Sequence, residues 1–147
     1  MQKGSIYFFS EEIRFSLPEK KKTREWIRKV LLKEKKSLGI LNFIFCSDDY
    51  LSDLNIKYLN HKSLTDILTF DYTEESNQVS GDIYISIDRV KENAKTYNTD
   101  YLTEMHRVII HGVLHLIGYK DKTSEEAEII RKKEDNYLSL RTNFIHE

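Results

Sequence analysis

The sequence predicts an α+β fold in which a small mixed sheet of about four strands packs around a buried central helix. Short apolar or alternating runs at residues 6–10, 40–46, 67–72 and 81–87 have the character of strands. Segments of helical periodicity lie between and after them. One such segment, ending at Ile117, is apolar almost all round, and a helix without a polar face belongs in a protein interior.

The elements follow in order. After strand 6–10, residues 22–36 read as a helix, because Trp26, Ile27, Val30 and Leu31 recur at helical spacing. Gly39 marks the turn into strand 40–46. Residues 48–59 form a second helix with Leu51, Leu54 and Tyr58 on one side. Strand 67–72 is joined by a turn at 76–80 to strand 81–87. There Ile83, Ile85 and Ile87 alternate with Asp82, Tyr84 and Ser86, as in a half-buried strand. A short helix spans 88–97, and Thr99 or Asp100 caps the long apolar one. Gly118 closes that helix, and Thr123 with Glu126 forms a capping box for a last helix ending near Leu140.

A chain of 147 residues suits one domain, spanning 1–147, with a real hydrophobic core. One proline and five glycines leave little room for a flexible linker. The formal net charge of -1 does not by itself announce a nucleic-acid binder. The single cysteine, Cys46, lies in an apolar run and reads as a buried, inert thiol; a reducing, cytoplasmic setting follows. No run approaches the length of a membrane span.

The chemistry concentrates on the buried helix. His111 and His115 stand four residues apart, so both rings leave the same helix face. Two imidazoles in apolar surroundings are costly unless each has partners, and a metal ion supplies them. Gly118 then lets the chain reverse, and Asp121 returns to complete a three-sided cup. Three protein ligands leave a position open, as in catalytic zinc sites, although two histidines and a carboxylate also suit Fe(II). Gly112 stands where a His-Glu-x-x-His protease needs its general base, which disfavours peptide hydrolysis. Phosphodiester hydrolysis remains open to such a site.

These residues resemble the YbeY family of ribosomal RNA maturation factors. The run His111-Gly-Val-Leu-His115-Leu-Ile-Gly118-Tyr119-Lys120-Asp121 is similar to that family's His-Gly-x-Leu-His-Leu-x-Gly-Tyr-Asp-His. Leu54-Asn55 with Tyr58, the segment Thr65-Asp66-Ile67-Leu68-Thr69-Phe70, and Gly81-Asp82-Ile83 match three further family segments in register. The resemblance implies a zinc-dependent, single-strand-specific endoribonuclease acting in small-subunit (16S) rRNA maturation and ribosome quality control. It implies Zn2+ on His111, His115 and Asp121, and as partners ribosomal RNA, the small subunit and its assembly factors. Asp121 stands where the family usually has His, and Leu59 where it usually has Arg, with His61 or Lys62 as substitute cations.

Asp66 and Asp82 are candidates to support a ligand histidine, against the simpler reading that they bond loop backbone. Glu104 lies seven residues before His111 and is a candidate partner or base, against a plain surface position. The first helix is strongly basic, and its Lys29 and Lys33 are candidate RNA-phosphate contacts. Two other classes compete with the nuclease: an RNA- or ribosome-binding assembly factor with a mainly structural metal, and a metal-dependent peptidase.

Overall fold

The computed structural model describes residues 4–59, 65–74 and 77–146. Four strands and five helices follow in the order β1 (Ser5–Glu11), α1 (Lys20–Lys33), β2 (Ser37–Cys46), α2 (Asp48–Leu59), β3 (Ile67–Asp71), β4 (Gln78–Ser86), α3 (Ile87–Thr96), α4 (Tyr101–Ile117) and α5 (Ser124–His146). The sheet order is β1-β2-β4-β3. β1, β2 and β4 run parallel, and β3 pairs antiparallel with β4 on the other edge. The sheet is therefore mixed, as expected. The parallel pairs need crossover connections, and α1 supplies the first.

The strand alternation sorts the two faces. Leu41, Phe43, Phe45, Ile83 and Ile85 meet Trp26, Ile27 and Val30 of α1 and Val108, Ile109, Ile110 and Val113 of α4 in one core cluster. Cys46, Leu68 and Tyr84 point to the opposite face, under Leu51 of α2. Cys46 is fully buried, and that burial pushes its thiol up to about 12, so it is the inert packing residue the sequence implied. The central helix sits where predicted but lies on one face of the sheet rather than being surrounded by it. Among the described residues, no helix is long and apolar enough to cross a membrane.

Several boundaries moved for local reasons. α1 ends at Lys33, three residues early, because Lys35 adopts a left-handed φ of 60°. The amides of Lys36 and Lys35 then donate to the carbonyls of Leu31 and Leu32, which closes the helix in a Schellman motif. The turn predicted at Gly39 is thus made at Lys35, and Gly39 lies inside β2 at a shift of register. α3 begins at Ile87, one residue before the predicted start, because Ser86 caps it and accepts from the Arg89 amide. β4 begins at Gln78, three residues before the predicted start, so positions 78–80 of the predicted turn are strand, and residue 76 of it lies outside the described residues. The capping box of α5 forms: the Glu126 amide donates to Thr123 Oγ1 at 3.1 Å, and the Thr123 amide donates to Glu126 Oε1 at 3.0 Å. α5 continues past Leu140 to His146, since the stretch contains no glycine or proline to stop it.

Candidate metal centre and cleft

α4 presents its histidines at the edge of the core. Gly112 between them faces the sheet, where an added Cβ would lie 2.8 Å from Ile67 Cδ1 and 2.9 Å from Ile83 Cγ2. Absence of a side chain there lets α4 seat closely on β3 and β4. A glutamate at this position would be driven into those isoleucines, away from the histidines. The geometry thus gives a steric reason for the missing protease base.

Gly118 ends the helix at a φ of 121°, and the chain turns back so that Asp121 faces both rings. Asp121 Oδ2 lies 3.4 Å from Nε2 of His111 and 3.4 Å from Nε2 of His115. The two Nε2 atoms are 2.8 Å apart. Ligands at zinc distances of about 2.0–2.1 Å in a tetrahedron would be separated by roughly 3.3–3.4 Å. Two edges of the triangle already have that length, and the third is shorter because the two rings share a hydrogen bond. The donor set fits a small divalent cation: each residue offers one ligand atom and all three atoms converge. His111 and His115 are part-buried and Asp121 is exposed, so the fourth side is open.

The other nitrogen of His111 is also engaged. Its Nδ1 lies 2.5 Å from Glu134 Oε2 on α5. The second Glu134 oxygen accepts from Arg107 Nη1 at 2.8 Å, and Arg107 Nη2 donates to Asp135 at 2.7 Å. A carboxylate behind a ligating histidine orients the ring and raises its basicity. Burial opposes protonation of His111, but the Glu134 hydrogen bond, aided by the charges of Glu134, Asp121 and Asp66, outweighs it and holds the pKa above the ordinary value. His115 is shifted the other way, by burial and then by the neighbouring His111 charge. Without metal, His111 therefore holds a proton more readily than His115 does.

The cluster opens into a cleft of about 350 Å³ between α3, α4 and α5, walled by Asp66, Glu104, Arg107, His111, Asp121 and Glu134 among others. Asp66 lies beside the cluster but bonds elsewhere, accepting from Asn93 Nδ2 at 3.1 Å. Burial holds its carboxyl above the usual range. Asp82 does not join the site. It projects from the opposite sheet face, where it accepts from Asn42 Nδ2 at 3.0 Å and Tyr72 OH at 3.1 Å. One residue along a strand reverses the face, which separates it from its neighbours Gly81 and Ile83. Glu104 is not on the surface: it is 6% exposed and lines the cleft. Lys29 and Lys33 sit on the exposed side of α1. His61 and Lys62 lie outside the described residues.

Sequence reading missed Glu134 and Arg107. A signal for Glu134 was present. Ile130, Glu134, Tyr137 and Arg141 form one buried stripe of α5, and an acid on such a stripe asks for a partner.

The family profile described as "Endoribonuclease YbeY" matches residues 8–141. An endoribonuclease YbeY from Amoebophilus asiaticus is 51% identical over 138 residues, covering 94% of each chain. One from Cytophaga hutchinsonii is 48% identical over 141 residues, covering 96% of this chain and 99% of the relative. The solution structure of a protein from Thermotoga maritima superposes with a TM-score of 0.64 at 30% identity, covering 95% of this chain and 93% of that one.

Proposed function

Since the chain belongs to the YbeY endoribonuclease family, we propose that it is a zinc-dependent, single-strand-specific endoribonuclease acting on small-subunit rRNA, in its maturation and in ribosome quality control. The observation that carries the metal dependence is the convergence of His111, His115 and Asp121 at the mouth of a cleft, with Glu134 behind His111. When bound, zinc supplies Lewis acidity toward a phosphoryl oxygen and acidifies water near neutral pH.

The chain's own residues prepare the site. Glu134 holds the His111 ring so that Nε2 points at Asp121 and His115. Arg107 neutralises Glu134 and ties α4 to α5. Two neutral histidines and one aspartate leave a zinc site with a net charge of about +1, which favours an anionic phosphate. The family cation at position 59 is replaced by Leu59, so phosphate attraction depends on the cation and on arginines of the cleft. A cytoplasmic setting and association with the small subunit and its assembly factors belong to the same reading. An assembly factor with a structural metal is the second reading. The open side of the cluster and the cleft before it favour catalysis, because structural zinc sites are closed by a fourth protein ligand.

The test is cleavage of single-stranded RNA from the small-subunit rRNA 3′ end by wild type and His115→Ala, purified identically and assayed for metal. The proposal expects wild type alone to cut and a chelator to stop it. Equal cutting by both proteins refutes it.

A further inference from the structure

The cleft does not end at the metal cluster. Beyond it, the wall is made by Tyr97 at the end of α3, Glu104 in the first turn of α4 and Arg131 on α5. None of these is needed to hold the cluster. Glu104 is 6% exposed; among the described residues nothing hydrogen-bonds its carboxylate, although the charges of Arg107 and Arg131 lie near it. Burial holds its carboxyl above the usual range. Its oxygens are not sealed from the cleft it lines, so they are available to accept from donors of a ligand there. Tyr97, by contrast, leaves 64% of its surface open.

The chemistry of Glu104 selects what can approach it. A phosphate is repelled by a carboxylate. A neutral base edge with N–H groups is attracted. Guanine presents two adjacent donors, N1–H and the N2 amine, which match the two carboxylate oxygens. Adenine and uracil offer no such pair, and cytosine offers only its amine. An exposed tyrosine is a ready stacking surface for a base, as in single-strand binding sites. Seven residues of helix place Glu104 roughly 10 Å along α4 from His111, so the base it holds belongs to a nucleotide beside the reacting phosphate. Arg131 is exposed, with its charge near Glu104 and no short ion pair among the described residues, so its guanidinium can reach a backbone phosphate.

We propose that the α3–α4 end of the cleft is a guanine subsite, in which Tyr97 stacks the base, Glu104 accepts from N1–H and the N2 amine, and Arg131 holds an adjoining phosphate. The proposal rests on the endoribonuclease reading for its biological substrate but not for its chemistry.

Two measurements test it, both on zinc-loaded full chain. In the first, a random single-stranded RNA library is cut and the product ends are sequenced. Wild type concentrates guanine at one position beside the cut. Glu104→Gln lowers that preference about tenfold, the discrimination expected of one bidentate base contact. Tyr97→Ala weakens cleavage at all sequences. Inosine in place of that guanosine, which removes only the N2 amine, slows wild type and has a smaller effect on Glu104→Gln. In the second, guanosine and inosine 5′-monophosphates are titrated against both proteins. Wild type binds the guanosine nucleotide more tightly, and Glu104→Gln does not discriminate. Cleavage with no guanine preference, or a preference untouched by Glu104→Gln, overturns the subsite. So does equal binding of the two nucleotides by wild type. Selective binding with no RNA cleavage would sustain the subsite and defeat the nuclease reading.

Discussion

Gly112→Ala places one methyl group between α4 and the sheet, and its effect can be worked from the contacts it would make. The new Cβ would stand 2.8 Å from Ile67 Cδ1, 2.9 Å from Ile83 Cγ2 and 3.3 Å from Ile83 Cδ1. Ile67 Cδ1 is the far end of a flexible chain and can rotate. Ile83 Cγ2 sits one bond from its own Cβ in a residue with 0% exposure, so relief there requires α4 or β4 to move. Overpacking of this kind costs about 1–3 kcal/mol. Replacing a helical glycine by alanine returns about 1 kcal/mol. A net loss of up to about 2 kcal/mol follows, or a fall in Tm of up to roughly 8 °C for a chain of this size. The same displacement moves His111 and His115 against Asp121 and Glu134, so zinc affinity falls as well. Urea unfolding of the metal-free protein and a competitive zinc titration measure the two effects. A metal-free variant more stable than wild type would refute the steric account of Gly112.

Removing the support behind His111 should act on metal as well as on the Arg107 pair that ties α4 to α5: Glu134→Gln, confirmed folded by circular dichroism, is expected to weaken zinc binding about 10–100-fold, read by competition with a chromophoric chelator. Because binding requires neutral His111, whose pKa is raised, zinc affinity should fall as pH drops through that pKa, and the midpoint of this fall should move down in Glu134→Gln. His106 gives a pH test of stability. Burial, with the nearby Arg141 charge, lowers its pKa to about 3. The unfolded chain therefore binds a proton that the fold excludes, and wild type loses up to about 1.4 kcal/mol per pH unit below roughly pH 6.5. His106→Gln should flatten that slope in urea midpoints compared at pH 7 and pH 5. Glu34 accepts from Tyr119 OH at 2.7 Å, Lys133 Nζ at 3.0 Å and Tyr137 OH. Burial opposes its ionisation, but these donors outweigh it and hold its pKa below the usual range. Its contribution is present above the unfolded carboxylate range and lost as pH falls through the folded pKa. Glu34→Gln should cost about 1.5–3 kcal/mol at pH 7 and progressively less below about pH 4, by the same unfolding assay.

The candidate metal ligands were legible because they share one short stretch of chain. A helix fixes the relation of His111 to His115 by its period alone, and Gly118 announces the reversal that brings Asp121 near. The sheet strands were legible for the same reason, since alternation at Ile83 and Ile85 reports a half-buried face without knowledge of the partner. Asp82 and Asp66 looked alike in sequence, each in a matched segment near a strand start. Only the pleat and the strand order decide that Asp82 faces Asn42 and Tyr72 while Asp66 reaches the cleft.

The sequence by itself determined the local geometry: which segments are helix or strand, the capping box at Thr123 and Glu126, and the triad on and after α4. It also carried the family, through motifs whose spacing survives at 51% identity to a relative. The tertiary structure decided everything that depends on the packing of distant segments. Glu134 stands behind His111, 23 residues away in sequence, because α5 folds back along α4. Glu104 is buried rather than exposed because α3 and α5 close over the first turn of α4. Local periodicity encodes which way a side chain leaves its own element. What it meets there is set by the element that packs against it.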